Sequence, residues 1–469
     1  MKIDVGASYD TRVEQAMGDE RLRLALERAT GRLVERRAAA IAAVDNDRFR
    51  NEARAVREYT VQHLPALLEQ LEHNLQRNGC HVHWARDAGE ATDIVCQIAR
   101  RHGVRNVVKS KSMVTEEIGL NEALEQSGVK VVETDLGEYI IQLADEPPSH
   151  ILAPAIHKRA EDISELFQQK LGMAPSNDPA HMCAVARREL RHQFLGAEMG
   201  VSGCNFAVAD SGTVCVITNE GNGRMVTSMP PVYVAIAGIE RIVPRIEDAV
   251  LMWQAASRNA TGQDVSVYFS LSSGPRRPGH TDGPDEMHVV LVDNGRSRIL
   301  ERGYGDALLC IRCSACINEC PVYREIGGHA YGETAYSGPI GAVITPLLAD
   351  DPLSACELPF ASTLCGACRD VCPVKIDLPR LLLDLRADMT EGGGRTERMA
   401  AQVFAATTRR PGRYRWMASV ARLVTSVFSR RGSKTIDTLP PPLSAWTKTR
   451  AFPRLAPKSF RKLWSERNG

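Results

Sequence analysis

Two cysteine-rich stretches constrain this chain more than any other feature. The first, LCIRCSACINECP (309–321), places Cys310, Cys313, Cys316 and Cys320 in a C-x2-C-x2-C-x3-C-P pattern. This spacing is typical of bacterial ferredoxins, in which three thiolates bind one iron-sulfur cubane and the fourth binds the other cubane. Structural zinc sites use four ligands, usually in two separated pairs, and do not match this spacing. The first stretch therefore predicts iron-sulfur ligation.

The second stretch, LCGACRDVCP (364–373), repeats the pattern with one cysteine fewer, because Ser362 occupies the position of its first cysteine. In two-cluster ferredoxins the last cysteine of each run binds the cluster of the other run. We therefore predict two 4Fe-4S clusters, the first held by Cys310, Cys313, Cys316 and Cys372 and the second by Cys320, Cys365 and Cys368.

The fourth position of the second cluster stays open at this stage. Cys356 lies six residues before Ser362 and is one possible ligand. The alternatives are Ser362 or water on the open iron, a three-iron cluster, or a ligand donated by a partner. Whichever holds, two neighbouring clusters that each pass one electron at a time predict an electron relay. A purely structural role for the clusters is the competing interpretation.

The composition sets the class of protein. A chain of 469 residues with 43% hydrophobic residues is long enough for roughly two to four globular domains. Its 13 cysteines indicate reduced thiols, because the chain opens with a polar segment and shows no signal-peptide core. The apolar stretch at 417–428 is shorter than the roughly 18 residues of a membrane span. We expect a cytoplasmic protein whose contact with a membrane, where there is one, is made through partner proteins.

Hydrophobic periodicity predicts an α/β fold. Apolar residues at spacings of three and four predict helices over 19–78. Residues 80–135 then alternate strands and helices in β-α-β-α-β order, which predicts a doubly wound, mostly parallel sheet. Further predicted strands are SHILAPAI, a hairpin that turns at 210–212, and three buried strands in YVAIAGIERIV, VSVYFSLSS and MHVVLVDNG.

The same patterns divide the chain into four predicted regions. They are an N-terminal helical region (1–69), an α/β domain (70–298), a small helical ferredoxin-type domain (299–390) and a basic, helical and Pro-rich C-terminal region (391–469) that begins with a flexible segment at 391–394.

Charge is distributed unevenly along the chain. Residues 395–469 contain 17 Lys and Arg against 3 acidic residues, whereas the rest has 41 against 54. A basic segment of this kind typically binds an acidic partner, a membrane surface, nucleic acid or the acidic part of its own chain. The aromatic residues Trp446, Phe452, Phe460 and Trp464 lie among the basic ones and suit base stacking. The prolines of this region favour docking onto protein over binding to nucleic acid.

The α/β region offers two candidate anion-binding loops at strand ends. Residues 109–112 (KSKS) precede a helix, where free amides favour an anion. Residues 219–224 (NEGNGR) add glycine flexibility and the Arg224 guanidinium, and both loops are expected to border one pocket at the carboxyl edge of the sheet. The competing interpretation is a capped helix and a polar turn.

Other chemically active residues in this region are expected to be structural. His150 and His157 flank ILAPAI and are predicted to be hydrogen-bonded rather than metal ligands. Glu138 is a candidate nucleophile only if a fold likeness extends to mechanism. The remaining cysteines fall in apolar patterns that predict core packing: Cys80, Cys96, Cys183, Cys204 and Cys215.

Several motifs, in order along most of the chain, resemble one family. They are SKSMVTEEIGLNEALE (110–125), GEYIIQLADEPPSHILAPAIHK (137–158), GCNFAVADSGTVCVITNEGNGRM (203–225), the two cysteine runs, LPRLLLDLR and the KSFRKLW end. Together they are similar to lactate utilisation protein B, the iron-sulfur subunit of a bacterial three-protein system for L-lactate oxidation.

The resemblance carries several implications. It implies a LUD domain whose sheet resembles those of sugar-phosphate isomerases and CoA-transferases. It implies that the serine at position 362 is a family trait. It also implies two partner subunits, one cysteine-rich and one with a second LUD domain. C-terminal docking onto a partner fits the same resemblance.

Electron counting supports a multi-protein system. Oxidation of a 2-hydroxy acid removes two electrons together, whereas a cubane accepts one, and a flavin commonly separates the pair. The sequence has no G-x-G-x-x-G after a strand and no Walker motif. The separating group is therefore expected in a partner, and this chain is expected to be a relay subunit without catalytic residues of its own. The alternatives are a self-sufficient oxidoreductase or transferase acting on a small acidic substrate, and a redox-sensing regulator.

Overall fold

The computed structural model describes residues 7–332, 334–390, 395–428, 435–441, 444, 447 and 450–468. The predicted flexible segment at 391–394 and Trp446 lie outside the described residues. Contacts divide the chain into two compact units, Met1–Asp388 and Met389–Gly469. The four predicted region boundaries stay predictions.

The first unit opens with four helices, as the periodicity predicts. Asp19 caps the second helix by accepting from the amides of Arg21 and Leu22, and Asp45 caps the third by accepting from that of Arg48. Such caps satisfy amides that have no partner within the helix. The helices are α1 (Tyr9–Gly18), α2 (Glu20–Ala42), α3 (Asn46–Gln62) and α4 (Leu64–Arg77).

Ten strands in the described part of this unit form two sheets. They are β1 (His81–Ala85), β2 (Asn106–Lys109), β3 (Lys130–Glu133), β4 (Met199–Gly203), β5 (Phe206–Val208), β6 (Thr213–Thr218), β7 (Val232–Gly238), β8 (Ile242–Val243), β9 (Tyr268–Ser272) and β10 (Glu286–Val292). The connecting helices are α5 (Ala88–Arg101), α6 (Met113–Glu117), α7 (Leu120–Gln126), α8 (Leu136–Ala144), α9 (Ala160–Leu171), α10 (Pro179–Leu195), α11 (Asn222–Ser228), α12 (Ile246–Ala260) and α13 (Arg296–Glu301).

The main sheet is parallel, in the order β1-β10-β7-β4-β2-β3. Every residue of β7 is buried, as expected for a central strand covered on both faces. Separate apolar cores lie on the two faces: α5 and α7 supply side chains to one, and α4 and the second sheet to the other. The predicted doubly wound, mostly parallel α/β fold is confirmed.

The second sheet differs from the sequence prediction. Its order is β8-β5-β6-β9, and the predicted hairpin at 210–212 joins β5 to β6 in antiparallel register. The prediction of a buried strand in VSVYFSLSS was wrong, because β9 is the antiparallel edge of this sheet and remains half-buried. SHILAPAI forms turns and no strand, since Ser149 and His150 use their polar groups on the cysteine segment.

Short helices organise the cysteine segment. They are α14 (Ala315–Asn318), α15 (Pro321–Ile326), α16 (Gly338–Leu348), α17 (Ala367–Asp370) and α18 (Leu378–Thr390), together with single 3-10 turns at Gly305–Leu309, His329–Tyr331, Pro352–Ala355 and Leu358–Phe360. The fully buried α16 is the centre of an apolar core that also receives residues of α2, α3 and α12. The predicted ferredoxin-type segment is thus built into the first unit.

The second unit is helical with a small β-ladder. It contains α19 (Arg395–Thr408), α20 (Pro411–Phe428), the antiparallel pair β11 (Thr435–Ile436) and β12 (Phe452–Pro453), and α21 (Phe460–Asn468). Phe460 and Trp464 are exposed on α21, with ring centroids 5.6 Å apart.

Candidate functional site

The first cysteine run forms a tight loop around its own thiols. Arg312 and Ser314 both adopt positive φ, at 58° and 63°, a conformation that non-glycine residues rarely take. The Arg312 amide lies 3.4 Å from Cys310 Sγ, and the Tyr323 amide lies 3.5 Å from Cys320 Sγ. Backbone N–H groups that point at sulfur stabilise negative charge there, as cluster ligation requires.

The second run repeats this geometry position by position. Leu364 and Gly366 adopt φ of 54° and 88°, matching Arg312 and Ser314. The Leu364 amide donates to Ser362 Oγ over 3.1 Å, as the Arg312 amide does to Cys310 Sγ. The Ser362 hydroxyl therefore occupies the place that a first cysteine thiol would take.

The fold collects the predicted ligands into two groups. Cys310, Cys313, Cys316 and Cys372 line one small cavity of about 20 Å³, together with apolar residues such as Ile340. Burial, and next the neighbouring Cys320 and Cys365, raise the pKa of the Cys368 thiol to about 12. The second group therefore brings Cys320, Cys365 and Cys368 together. Cys356 is half-buried at the end of the Pro352–Ala355 turn.

These thiols fit a metal-bearing group. Burial raises the pKa of Cys313 to about 12 and that of Cys316 still further, so neither ionises readily in its apolar surroundings. Thiolates become stable in such a pocket when cations neutralise them. The seven residues thus suit ligation of iron, with amides directed at sulfur and no carboxylate lining the cavity of the first group.

A set of arginines holds the carbonyls around both runs. Arg57 is fully buried on α3 and donates to the Leu308, Leu309, Glu240 and Ile242 carbonyls at 2.7–3.3 Å. Three further arginines on α2 and α3 donate to carbonyls between residues 369 and 375: Arg37 to Val371, Arg50 to Arg369 and Cys372, and Arg54 to Val374 and Lys375. The N-terminal helices therefore fix both ends of the cysteine segment.

Sequence reasoning missed these arginines. Their partners are backbone carbonyls far along the chain, and no local pattern marks such pairs. A signal does exist for Glu240 and Arg241, which interrupt the apolar run YVAIAGIERIV. Glu240 is fully buried, and the Arg296 and Arg312 guanidinium groups help to hold its pKa at about 2 despite burial. Arg241 donates to the Cys310 carbonyl over 2.9 Å.

A cavity of about 340 Å³ opens at the carboxyl edge of the main sheet. Both predicted anion loops border it, through Lys111 and Ser112 on one side and Asn219, Glu220 and Asn222 on the other. The expectation of a shared pocket is confirmed, but its predicted cations are not all available. Lys109 is fully buried against Glu116 and Glu133, and Arg224 is exposed away from the lining.

The cavity extends to the first cysteine run. Its wall includes Arg312 and Cys313 as well as Arg241, Arg296 and Tyr336. Arg312 stacks over the Tyr336 ring at 4.6 Å and lies 3.7 Å from Glu240, while its buried Nη1 has no hydrogen bond within the described residues. A molecule in this cavity would therefore lie beside one predicted ligand of the first cluster.

The remaining candidates have structural partners. His150 lies 3.1 Å from Asn318 Oδ1, and its Nδ1 accepts from the Leu152 and Ala153 amides. His157 lies 2.8 Å from Glu146, and Glu138 pairs with Lys111. The prediction that both histidines are hydrogen-bonded is confirmed.

Core packing holds for four of the five remaining cysteines. The exception is Cys183, for which the prediction was wrong: it lies exposed on α10, whose neighbouring Met182 and Val185 face the core. Cys80, Cys96, Cys204 and Cys215 are buried.

Comparison with known proteins agrees with this organisation. A LUD domain model matches residues 68–292, a 4Fe-4S dicluster domain model matches 306–376, and a model of the lactate utilisation protein B C-terminal region matches 389–469. Lactate utilization protein B of Bacillus licheniformis is 44% identical over 475 residues, covering 100% of this chain and 98% of that protein. The chain belongs to the lactate utilisation protein B family.

Further comparisons complete this assignment. Lactate utilization protein B of Anoxybacillus flavithermus is also 44% identical, over 100% of this chain and 99% of that protein. A solved DUF162 family protein from Deinococcus radiodurans covers 49% of this chain and 98% of its own at 11% identity and a TM-score of 0.28, too low to bear on the fold.

These findings confirm two predictions made from the sequence. The dicluster domain confirms that the chain carries iron-sulfur clusters, and the resemblance found from the sequence motifs is confirmed. Among the described residues, no helix has the length and apolar character to cross a membrane.

Proposed function

We propose that the protein is the electron-transfer subunit of a multi-protein system that oxidises L-lactate to pyruvate. When bound, the clusters supply one-electron acceptor sites in series. The chain's own residues hold the ligands in place and direct amides and arginines toward the cluster loops. We infer lactate as the substrate because the relatives are named lactate utilization proteins.

The observation that carries the relay role is the pairing of the two cysteine groups. Cys372 of the second run lines the cavity of the first group, and Cys320 of the first run lies with Cys365 and Cys368. This exchange supports ligation of the first cluster by Cys310, Cys313, Cys316 and Cys372, and of the second by Cys320, Cys365 and Cys368. Sites that share ligand loops in this way lie close enough to exchange electrons.

The partners follow from electron counting. Lactate gives up two electrons together, so a group that separates them must lie elsewhere, and we assign it to sister subunits, one cysteine-rich and one with a second LUD domain. The basic C-terminal region is the proposed docking segment for a partner, since residues 395–469 contain 17 basic residues and only 3 acidic ones. The complex is proposed to be cytoplasmic, with any membrane contact made through its partners.

Reconstitution tests this function. The cluster-loaded chain is incubated anaerobically with L-lactate and an artificial electron acceptor, first alone and then with the sister subunits. Turnover only in the presence of the sister subunits, together with cluster reduction seen by EPR, supports the relay. Turnover by the isolated chain contradicts it.

The cavity beside Cys313 favours a second candidate function, oxidation of a small acidic substrate within this chain. Its volume of about 340 Å³ lies near the lower end of ligand pockets, which span about 300–1,000 Å³. Arg312 offers an unpaired N–H, and Lys111 and Arg241 add positive charge. Burial, and next the Asp135 carboxylate, raise the pKa of Glu220 above its ordinary value.

Site variants distinguish the two functions. If lactate binds in this cavity, Arg312→Met should weaken binding of L-lactate to the isolated chain by at least tenfold, about 1.4 kcal/mol. Arg224→Met is the matched control, because Arg224 is exposed and outside the lining. Equal lactate binding by both variants and wild type, or none in any of them, removes the cavity from the reaction.

A further inference from the structure

A group of unused metal-ligating side chains lies at the amino edge of the parallel sheet. Glu286 and His288 belong to the start of β10, and His102 follows the end of α5. One donor atom from each of the three lies within 4.8 Å of the other two. This edge is opposite to the carboxyl edge that carries the large cavity, because all six strands of the sheet run parallel.

The donor atoms converge without bonding to one another. His102 Nε2 lies 3.4 Å and His288 Nε2 lies 3.5 Å from Glu286 Oε2. All three atoms are shielded from solvent, yet none has a hydrogen-bond partner among the described residues. Buried polar atoms are normally satisfied, so three such atoms facing one point are suited to binding a cation.

The surroundings prepare His288 to act as a ligand. Its side chain is only 2% exposed, and its Nδ1 lies 3.1 Å from His83 Nε2, which leaves Nε2 directed at Glu286. A hydrogen bond to the second ring nitrogen is the usual support of a metal-bound histidine.

The strand register supplies a fourth donor. β1 pairs with β10 so that His81 stands directly opposite His288, and the two rings stack at 4.9 Å. His81 Nε2 lies 3.8 Å from Glu286 Oε2, and its side chain is half-exposed, which leaves it free to turn. His102, Glu286 and His288 thus converge on one position, and His81 lies beside Glu286.

We propose that His102, Glu286 and His288, with His81 as the fourth ligand, form a binding site for one divalent transition-metal ion of the zinc class. Zinc takes nitrogen and oxygen ligands tetrahedrally at about 2.0–2.1 Å, which separates neighbouring donor atoms by about 3.3 Å. The separations of 3.4 and 3.5 Å meet this requirement. The ion links β1, β10 and the end of α5, and it lies apart from the cysteine ligands of the iron-sulfur segment.

Zinc binding to the full chain tests the site. The cluster-loaded protein, without a polyhistidine tag, is equilibrated anaerobically with buffered Zn²⁺, and zinc, iron and sulfide per chain are measured. Wild type should hold one zinc, and His288→Ala, His102→Ala and Glu286→Gln should each lose it with iron and sulfide unchanged. His181→Ala, which removes an exposed histidine on α10, should keep it. His83→Phe should weaken zinc binding by about 10- to 100-fold.

The outcomes separate the site from other sources of bound zinc. His102 is at a helix end and 20% exposed, so His102→Ala keeps the test valid if His288→Ala fails to fold. Zinc should also raise the melting temperature of wild type and His181→Ala, but not that of His102→Ala. Absence of zinc from the wild type, or equal zinc in wild type and in both His102→Ala and Glu286→Gln, overturns the proposal.

Discussion

Replacement of Arg57 by methionine tests how the first cysteine run is held in place. Methionine replaces the apolar stem of arginine and lacks N–H groups, so it removes the hydrogen bonds to Leu308, Leu309, Glu240 and Ile242. Two of these carbonyls belong to the residues directly before Cys310. The substitution should therefore loosen Cys310 itself.

The expected loss follows from the contacts. Each hydrogen bond from a charged group contributes about 1.5–3 kcal/mol, so four contribute about 6–12 kcal/mol before the cost of burying the guanidinium. That cost is several kcal/mol, and removal of one member of a buried charged set typically destabilises by about 3–5 kcal/mol. We expect Arg57→Met to lower the apparent free energy of unfolding by about 3–5 kcal/mol.

Urea unfolding of the cluster-loaded protein under anaerobic conditions measures this loss, by circular dichroism and by visible absorbance of the clusters. Arg48→Met is the matched control on the same helix: Arg48 is 77% exposed and pairs only with Glu52 among the described residues. Such a pair contributes about 0.3–0.5 kcal/mol. The reasoning is refuted if Arg57→Met unfolds within about 1 kcal/mol of Arg48→Met and releases iron at the same urea concentration.

Three further predictions concern the clusters and acid stability. Joint replacement of Cys310 and Cys313 by serine should remove the first cluster and about half the iron, whereas unchanged iron analysis would contradict the ligand assignment. Ser362→Cys should give the second cluster a complete thiolate set and change the EPR spectrum of that cluster, because Ser362 Oγ already accepts from the Leu364 amide as Cys310 Sγ does from Arg312. A changed spectrum in Cys356→Ser would show that Cys356 is the fourth ligand, and an unaltered spectrum would exclude it. Burial lowers the pKa of His150 from 6.5 to about 4, so the folded state binds this proton less tightly than the unfolded state and the protein becomes less stable as the pH drops from 6.5 toward 4. In urea unfolding, wild type should therefore lose about 1 kcal/mol more than His150→Gln between pH 7.5 and 5.5. Equal losses would show that His150 does not contribute.

Local patterns in the sequence were sufficient for the main features of the fold. The β-α-β-α-β order of residues 80–135 gave the parallel sheet, and the cysteine spacing gave the iron-sulfur chemistry. Both signals are encoded within a few neighbouring residues. The assignment of each cysteine to a cluster stays a prediction, supported by the shared cavity that Cys372 lines with the first run.

The failures have physical causes of longer range. VSVYFSLSS has five apolar residues in nine and fits a strand, but its position at a sheet edge depends on pairing with β6, some fifty residues earlier. Cys183 fits a helical pattern whose buried face was assigned one residue out of place, since Met182 and not Cys183 faces the core. The group of His102, Glu286 and His288 joins two distant parts of the chain, and neither part alone resembles a metal motif.

The arginines of the N-terminal helices have a consequence for how the protein is made. Arg37, Arg50, Arg54 and Arg57 are synthesised before the residues whose carbonyls they bind, because residues 308–309 and 369–375 follow hundreds of residues later. The cluster loops cannot reach their final shape until nearly the whole first unit has been translated. We therefore expect iron and sulfide to be delivered late, to an almost complete polypeptide in which the N-terminal helices have already been synthesised.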